Sequence, residues 1–345
     1  MKTFSRIMAG VVTAALVMTG VNACASSESQ PNASSTAEKV VPEKINIGYI
    51  PNQNAPFFVA KSQKIFEEHG LIPNFVKFTT GPPQFAALGS GDIDVTDIGT
   101  LPFLIGLSNG LDIQYVMSAF EANTTNAIVG NDSIKSVADL KGKNVALAVG
   151  SSSSLMLGKA LQNTGLSEAD VNIVNTQPGN MVPSFVHGDV DAVVSWWPWS
   201  DQVVLQGGHV ITTMKEEGGA VPDVWAARAE FAEKRPEVLK RFVAAINDAT
   251  EKHTADPEKV IPVMATELGI DADLVKKAVS LPIYADAKKQ MSSGYNLSMA
   301  GNDITKGLAA VMNTDAEFLL LIKKITRVPD VLAAQNNSVL TALVK

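Results

Sequence analysis

The sequence predicts an α/β protein of two lobes, each a mostly parallel sheet flanked by helices, with two chain crossings forming a two-strand hinge. Three observations predict it. Two stretches about a hundred residues apart follow one plan: strand, polar loop, helix, strand, polar loop, helix. Both end on one motif, Gly91-Asp92-Ile93-Asp94-Val95 and Gly188-Asp189-Val190-Asp191-Ala192. Two short extended runs, 127–130 and 223–227, bracket the second stretch and read as the passages between lobes. A β-α-β-α-β module demands a largely parallel sheet covered on both faces. Ligands of such sheets sit at the carboxyl ends of the strands, so two facing modules make a cleft.

The elements follow in order. Lys2 and Arg6 precede an uncharged run over 7–21, which as a helix spans roughly 22 Å, short of the ~30 Å hydrocarbon core. Residues 1–23 therefore read as a signal peptide. Cys24, the chain's one cysteine, follows Val21-Asn22-Ala23. That sequence resembles a lipobox and makes Cys24 the candidate lipidation site, an ordinary signal-peptidase site being the other reading. Residues 24–42 are rich in serine and poor in bulky apolar side chains, and read as a flexible tether. The first lobe is expected over 43–127 and again over 228–345, the second over 128–227. The first carries strands at 45–50 and 74–78, with helices from Phe57 and over 84–90. The second opens with a short helix ending at Gly142, then strands at 144–149 and 171–175 with helices over 155–164 and 181–187. Past 228 the pattern turns helical: Pro236 suits a first helical position, and Leu239, Phe242, Val243 and Ile246 recur at helical spacing. Further helices are expected from Pro257, over 273–279, 303–311 and 317–325, all packing on the first lobe.

The formal net charge is −7, and loss of the leader's two cations takes it to −9. An acidic body without a basic stripe argues against nucleic acid as a partner. The histidines His69, His187, His209 and His253 have no metal-ligand spacing, and no Ser-His-Asp or Cys-His grouping occurs. The Gly-Asp-x-Asp carboxylates follow a helix-ending glycine and fit strand-entry chemistry. No catalytic residue, metal or cofactor is expected.

The strand-end rule supplies the candidate ligand contacts. They are Gln53 and Asn54 in the first loop, Gly81 and Pro82 in the second, and Gly99 and Thr100 after the third strand. The crossing and the second lobe add Asn126, Ser151, Ser152, Ser153, Gln177, Trp196 and Trp197, and the return crossing adds Asp223 and Trp225. These loops hold no Lys, Arg or His. Four serines running into a helix make an anion site from hydroxyls and free N–H groups, or a plain N-cap. Of the three clustered tryptophans, Trp199 reads as core, while Trp196 and Trp197 read as an aromatic wall for apolar or cation–π contact. Asp223 precedes two apolar residues, where a carboxylate needs a partner. Either Arg228 pairs with it, or it faces the cleft and takes a ligand ammonium.

Several motifs point to one family. They are Thr80-Gly81-Pro82, Ala87-Leu88-Gly89-Ser90-Gly91-Asp92-Ile93-Asp94, Ile98-Gly99-Thr100-Leu101-Pro102, Asp139-Leu140-Lys141-Gly142-Lys143 and the second Gly-Asp-x-Asp. From about residue 45 onward the chain resembles the substrate-binding proteins of nitrate/sulfonate/taurine-type ABC importers. Val171-Asn172-Ile173-Val174-Asn175-Thr176-Gln177-Pro178 and Asp223-Val224-Trp225 are similar to taurine-binding proteins in particular. The resemblance implies a type II periplasmic-binding-protein-like fold, no enzymatic activity and a monomer outside the cytoplasm. Its partners would be a small zwitterionic or anionic solute such as taurine, a membrane permease, and the membrane through a lipid anchor. In that subfamily the Asp of Asp-Val-Trp takes the taurine ammonium. Other solutes consistent with the resemblance are an alkanesulfonate, a thiamine pyrimidine precursor or a quaternary amine. A lyase on the same fold is the competing class.

Overall fold

A computed structural model describes residues 41–345; the leader, Cys24 and all but the last two residues of the expected tether lie outside the described residues. The described residues form one compact unit. Among the described residues ten strands make two five-stranded sheets. The first contains β1 (Glu43–Tyr49), β2 (Leu71–Lys77), β3 (Val95–Gly99), β4 (Ile113–Glu121) and, from far along the chain, β10 (Pro222–Arg228). The second contains β5 (Ala127–Gly130), β6 (Asn144–Leu147), β7 (Asn172–Asn175), β8 (Ala192–Ser195) and β9 (His209–Thr213).

The orders are β2-β1-β3-β10-β4 and β7-β6-β8-β5-β9. Strands β1, β2 and β3 are parallel, as are β6, β7 and β8. One antiparallel strand is inserted in each sheet: β10 between β3 and β4, and β5 between β8 and β9. The repeat read from the sequence thus extends to the inserted strand. Both β5 and β10 are nearly all buried, being covered on two faces and paired on two edges. That corrects the expected crossings. β5 lies wholly in the second sheet, and β10, expected up to Ala227 in the second lobe, lies wholly in the first. The chain passes between lobes at 122–126 and 214–221. The two passages are tied together: Lys215 and Met214 donate backbone N–H bonds to the carbonyls of Asn123 and Asn126 at 3.0 Å, and Val221 donates to the Asn123 side chain at 2.8 Å.

The Gly-Asp-x-Asp motif does the same work twice. Gly91 and Gly188 end helices with φ of +89° and +78°, a left-handed cap that a side chain strains. Asp94 then accepts the Asn46 N–H at 2.8 Å, and Asp191 accepts the Asn144 N–H at 3.0 Å, each pinning the start of the neighbouring strand.

The first lobe's core is aromatic. Trp225 on β10 packs 5.9 Å from Phe57 and 4.9 Å from Phe242, on helices Ala55–Ser62 and Pro236–Ala255. The expected helices 303–311 and 317–325 are one, Gly307–Leu321. It serves both lobes rather than the first alone. Asp315 pairs with Lys159 of the second lobe at 2.9 Å, and a Cβ placed on Gly158 would lie 3.3 Å from Phe318.

Candidate ligand-binding cleft

The cleft forms where the strand ends of both sheets meet. β1 turns through Asn52 and Gln53 into helix Ala55–Ser62, whose N-cap Asn54 accepts the Phe57 N–H at 3.3 Å. β3 runs directly into helix Thr100–Ser108. In the second lobe Ser151 caps helix Ser152–Asn163, accepting the Ser153 N–H at 3.3 Å. Helices Gly81–Ser90, Ser152–Asn163 and Pro178–His187 each begin three residues earlier than expected. Proline fits a first turn and serine caps one, so polar stretches that read as loop are already helical. The consequence is chemical: first-turn N–H groups without intrahelical partners sit at the cleft, together with the positive ends of the helices.

A cavity lies between the lobes, enclosing about 430 Å³ with its mouth. Ile50, Asn52, Gln53, Gly81, Gly99, Pro102, Phe120 and Asp223 line one side. Asn126, Ser151, Ser152 and Trp196 line the other. A space of that size suits a small solute. The lobes touch at its mouth, where Thr79 Oγ1 donates to Gln177 Oε1 at 3.3 Å and Pro82 lies 3.3 Å from a Cβ built on Gly150.

Eight of the fifteen candidate contacts line this cavity: Gln53, Gly81, Gly99, Asn126, Ser151, Ser152, Trp196 and Asp223. Gln177 and Pro82 stand at the mouth. Asn54, Thr100 and Ser153 are buried just behind the lining, and the hydroxyls of Thr100 and Ser153 have no hydrogen-bond partner. Two expectations are corrected. Trp197 is fully buried in the main core, while Trp199 is half-buried, so the aromatic wall is Trp196 with Phe120. Trp225 is also core. β10 runs antiparallel to β3, so Asp223 opposite Gly99 is at the cleft and Trp225, opposite Asp97, lies about 7 Å deeper.

Arg228 is not the partner of Asp223. Its guanidinium bonds Asp94 at 3.3 Å and Glu230 at 3.2 Å, at the far end of the strand. Asp223 receives only a long bond from Asn52 Nδ2, at 3.4 Å. Burial and then the nearby Asp97 push its carboxyl well above the ordinary range. Two residues that the sequence reading did not name stand beside Asp223: Asn52, which lines the cavity, and Asp97 behind it. Asp97 is fully buried, accepts from Asn52 Nδ2 and Asn54 Nδ2 at 3.0 Å each, and has its carboxyl raised by burial to about 6. The available signal was a lone acid inside the apolar run Val95-Thr96-Asp97-Ile98.

On the opposite wall the polar groups are neutral. Ser152 Oγ donates to Asn126 Oδ1 at 3.1 Å, Asn126 Nδ2 to Ala122 O at 3.3 Å, and Ser151 Oγ to Ala148 O at 2.6 Å. The indole N–H of Trp196 has no partner. The cavity therefore offers an unpaired carboxylate on one side and neutral donors at helix starts on the other. No group of three or more potential metal ligands occurs among the described residues.

Comparison with known proteins agrees with this architecture. A family described as NMT1/THI5 like matches residues 51–260. The taurine-binding periplasmic protein of Escherichia coli (strain K12) is 32% identical over 207 residues, 59% of this chain and 64% of that protein. The chain thus spans just under two thirds of that relative. The alkanesulfonate-binding protein SsuA from Xanthomonas axonopodis pv. citri, solved bound to MOPS, has a TM-score of 0.72 at 22% identity, covering 86% of this chain and 99% of that one. The periplasmic aliphatic sulphonate binding protein SsuA from Escherichia coli gives 0.69 at 23%, covering 87% and 99%. At these identities the solved structures show a common fold, the type II periplasmic-binding-protein fold that the sequence predicts. By its match over most of the described chain, this protein belongs to the NMT1/THI5-like family.

Proposed function

We propose that the chain is the extracytoplasmic solute receptor of an ABC importer, and that its cleft takes taurine or a related small amino-sulfonate. One observation carries this. A buried carboxylate without a cation, Asp223, shares a small cavity with a wall of hydroxyls, an indole N–H and helix N-termini that holds no Lys, Arg or His. A zwitterion matches both sides. Its ammonium supplies the missing counter-charge. Its sulfonate stays ionised at any working pH, so neutral donors suffice to hold it. The relatives that bind taurine and sulfonates support the reading. A quaternary amine fits less well, because Trp196 and Phe120 are the only aromatic rings on the cavity and a cage needs more.

The same reading makes the protein a monomer that hands its solute to a membrane permease without altering it. Cys24 carries the lipid that holds it at the membrane, on the strength of the charged leader, the short apolar run and the lone cysteine.

Calorimetry with taurine, ethanesulfonate and ethanolamine tests the assignment. Taurine is expected to bind tightest, since it alone satisfies both walls. A ligand at a hundred times its Kd raises stability by about 2.7 kcal/mol, which also shows as a shifted melt. Tighter binding of ethanesulfonate than of taurine would overturn the amine half of the reading. Recovery of chemically changed ligand would replace the receptor by an enzyme.

A further inference from the structure

Asp223 lines the cavity, a second carboxylate, Asp97, is buried behind it, and no cation lines the cavity to balance them. Asn52 Nδ2 donates to Asp97 Oδ2 at 3.0 Å and to Asp223 Oδ2 at 3.4 Å, so one amide group bridges both acids. Asp97 Oδ1 is buried and takes no hydrogen bond from any side chain. A second observation, independent of the acids, marks the place as a ligand site: the buried Trp196 lines the same cavity with its N–H unpartnered.

The charged groups on the surrounding elements are engaged elsewhere. Lys61 on helix Ala55–Ser62 pairs with Glu267 at 2.7 Å, and that glutamate also takes the Tyr49 hydroxyl of β1 at 2.8 Å. Lys159 on helix Ser152–Asn163 pairs with Asp315 at 2.9 Å. Arg228 on β10 is held by Asp94 and Glu230, and Asp201 on helix Trp199–Leu205 faces Lys277 at 3.7 Å. Glu121 on β4 accepts from Asn123 at 2.6 Å and from Asn296 at 3.1 Å. Tyr284 donates to the Gln53 carbonyl at 2.5 Å. Helices Gly81–Ser90 and Thr100–Ser108 contain no charged residue.

We propose that Asp97 is a second specificity-determining residue of the amine subsite, coupled to Asp223 through the Asn52 amide, so that taking in an ammonium drives a proton off the carboxylate pair. The inference rests on the amino-sulfonate reading and deepens it. Two buried acids this close cannot both ionise cheaply, so the empty pair retains a proton near neutral pH. The raised carboxyls of both residues agree with that. An entering ammonium keeps its own protons and favours the doubly ionised pair, and the displaced proton leaves to solvent. A ligand without the positive charge cannot drive this step and meets an unneutralised acid instead.

The sign follows from linkage. A group whose carboxyl is raised in the free site and lowered in the complex releases its proton on binding, so affinity for the amine rises with pH across that window. The experiment is calorimetry of taurine and ethanesulfonate at about pH 6 and 8, in buffers of different ionisation enthalpy, on wild type, Asp97→Asn and Asn52→Ala. For wild type, taurine should release a measurable fraction of a proton at the lower pH and bind several-fold more tightly at the higher. Ethanesulfonate should release none. Asp97→Asn should release a smaller fraction with taurine and show a flatter pH profile, since burial alone still raises Asp223. Asn52→Ala, which leaves both acids in place, should show a reduced release, so the proposal stays testable even if one variant is unstable. Tight taurine binding by wild type without proton release, or release undiminished in Asp97→Asn, would overturn the role of Asp97 and leave the amino-sulfonate reading standing. Absence of taurine binding to wild type would instead overturn that reading, and this inference with it.

Discussion

Replacing Asp223 by Asn separates recognition from architecture. This carboxylate is 9% exposed, and its nearest donor is an amide at 3.4 Å. A ligand ammonium would be its one close counter-charge, and a charge-assisted hydrogen bond of that kind contributes roughly 1.5–3 kcal/mol. At about 1.4 kcal/mol per tenfold, Asp223→Asn should weaken taurine about ten- to a hundredfold. Ethanesulfonate, held by Ser151, Ser152 and the helix starts, should bind the variant at least as well as wild type. The free variant should melt no lower than wild type at pH 7.5. Its carboxyl is raised on folding, so the charge costs stability at neutral pH, and an amide of the same shape removes that cost. Calorimetry with both ligands and a melt of each free protein are the assays. A stable Asp223→Asn protein with wild-type taurine affinity would refute the reasoning, because no other cation-seeking group lines the cavity.

Three further outcomes are expected. Trp197→Ala should destabilise by about 3–5 kcal/mol as a core cavity opens, whereas Trp196→Ala, whose ring borders the ligand cavity, should cost less than that and lose ligand affinity; thermal melts and calorimetry on the pair check this. The free wild type should lose stability relative to Asp97→Asn as pH rises from about 4 to 7. A carboxyl lifted from 3.8 to about 6 on folding favours the folded state at low pH, and that advantage, up to about 3 kcal/mol, fades as pH passes the folded value. Denaturant titrations of both proteins across that range report the difference. Finally, ligand should reduce the radius of gyration in solution scattering, since Thr79–Gln177 and Pro82–Gly150 meet only with the lobes together. An unchanged profile at saturation would count against closure.

The sequence by itself determined the two-lobed α/β architecture, because its evidence is local and repeated. Strand, polar stretch and helix recur twice, and the Gly-Asp-x-Asp ends are fixed by a glycine cap and an acid that reaches the adjacent strand. Asp223 was also legible, as a carboxylate in an apolar extended run. Even the exclusion of Arg228 was within reach, since five strand residues place the two about 17 Å apart along the chain. Only the tertiary structure decided which sheet each crossing strand enters. β5 and β10 are short apolar segments, and their partners lie far away in sequence. The same holds for Trp196 against Trp197, adjacent residues of one type whose fates depend on what packs around the turn. Asp97 is the sharpest case. Its neighbours in sequence describe an ordinary buried strand, and nothing local says that two asparagines some forty-five residues earlier fold over its carboxylate and join it to Asp223. Periodicity and caps act over one turn or one strand, whereas a desolvated charge is defined by everything that surrounds it in space.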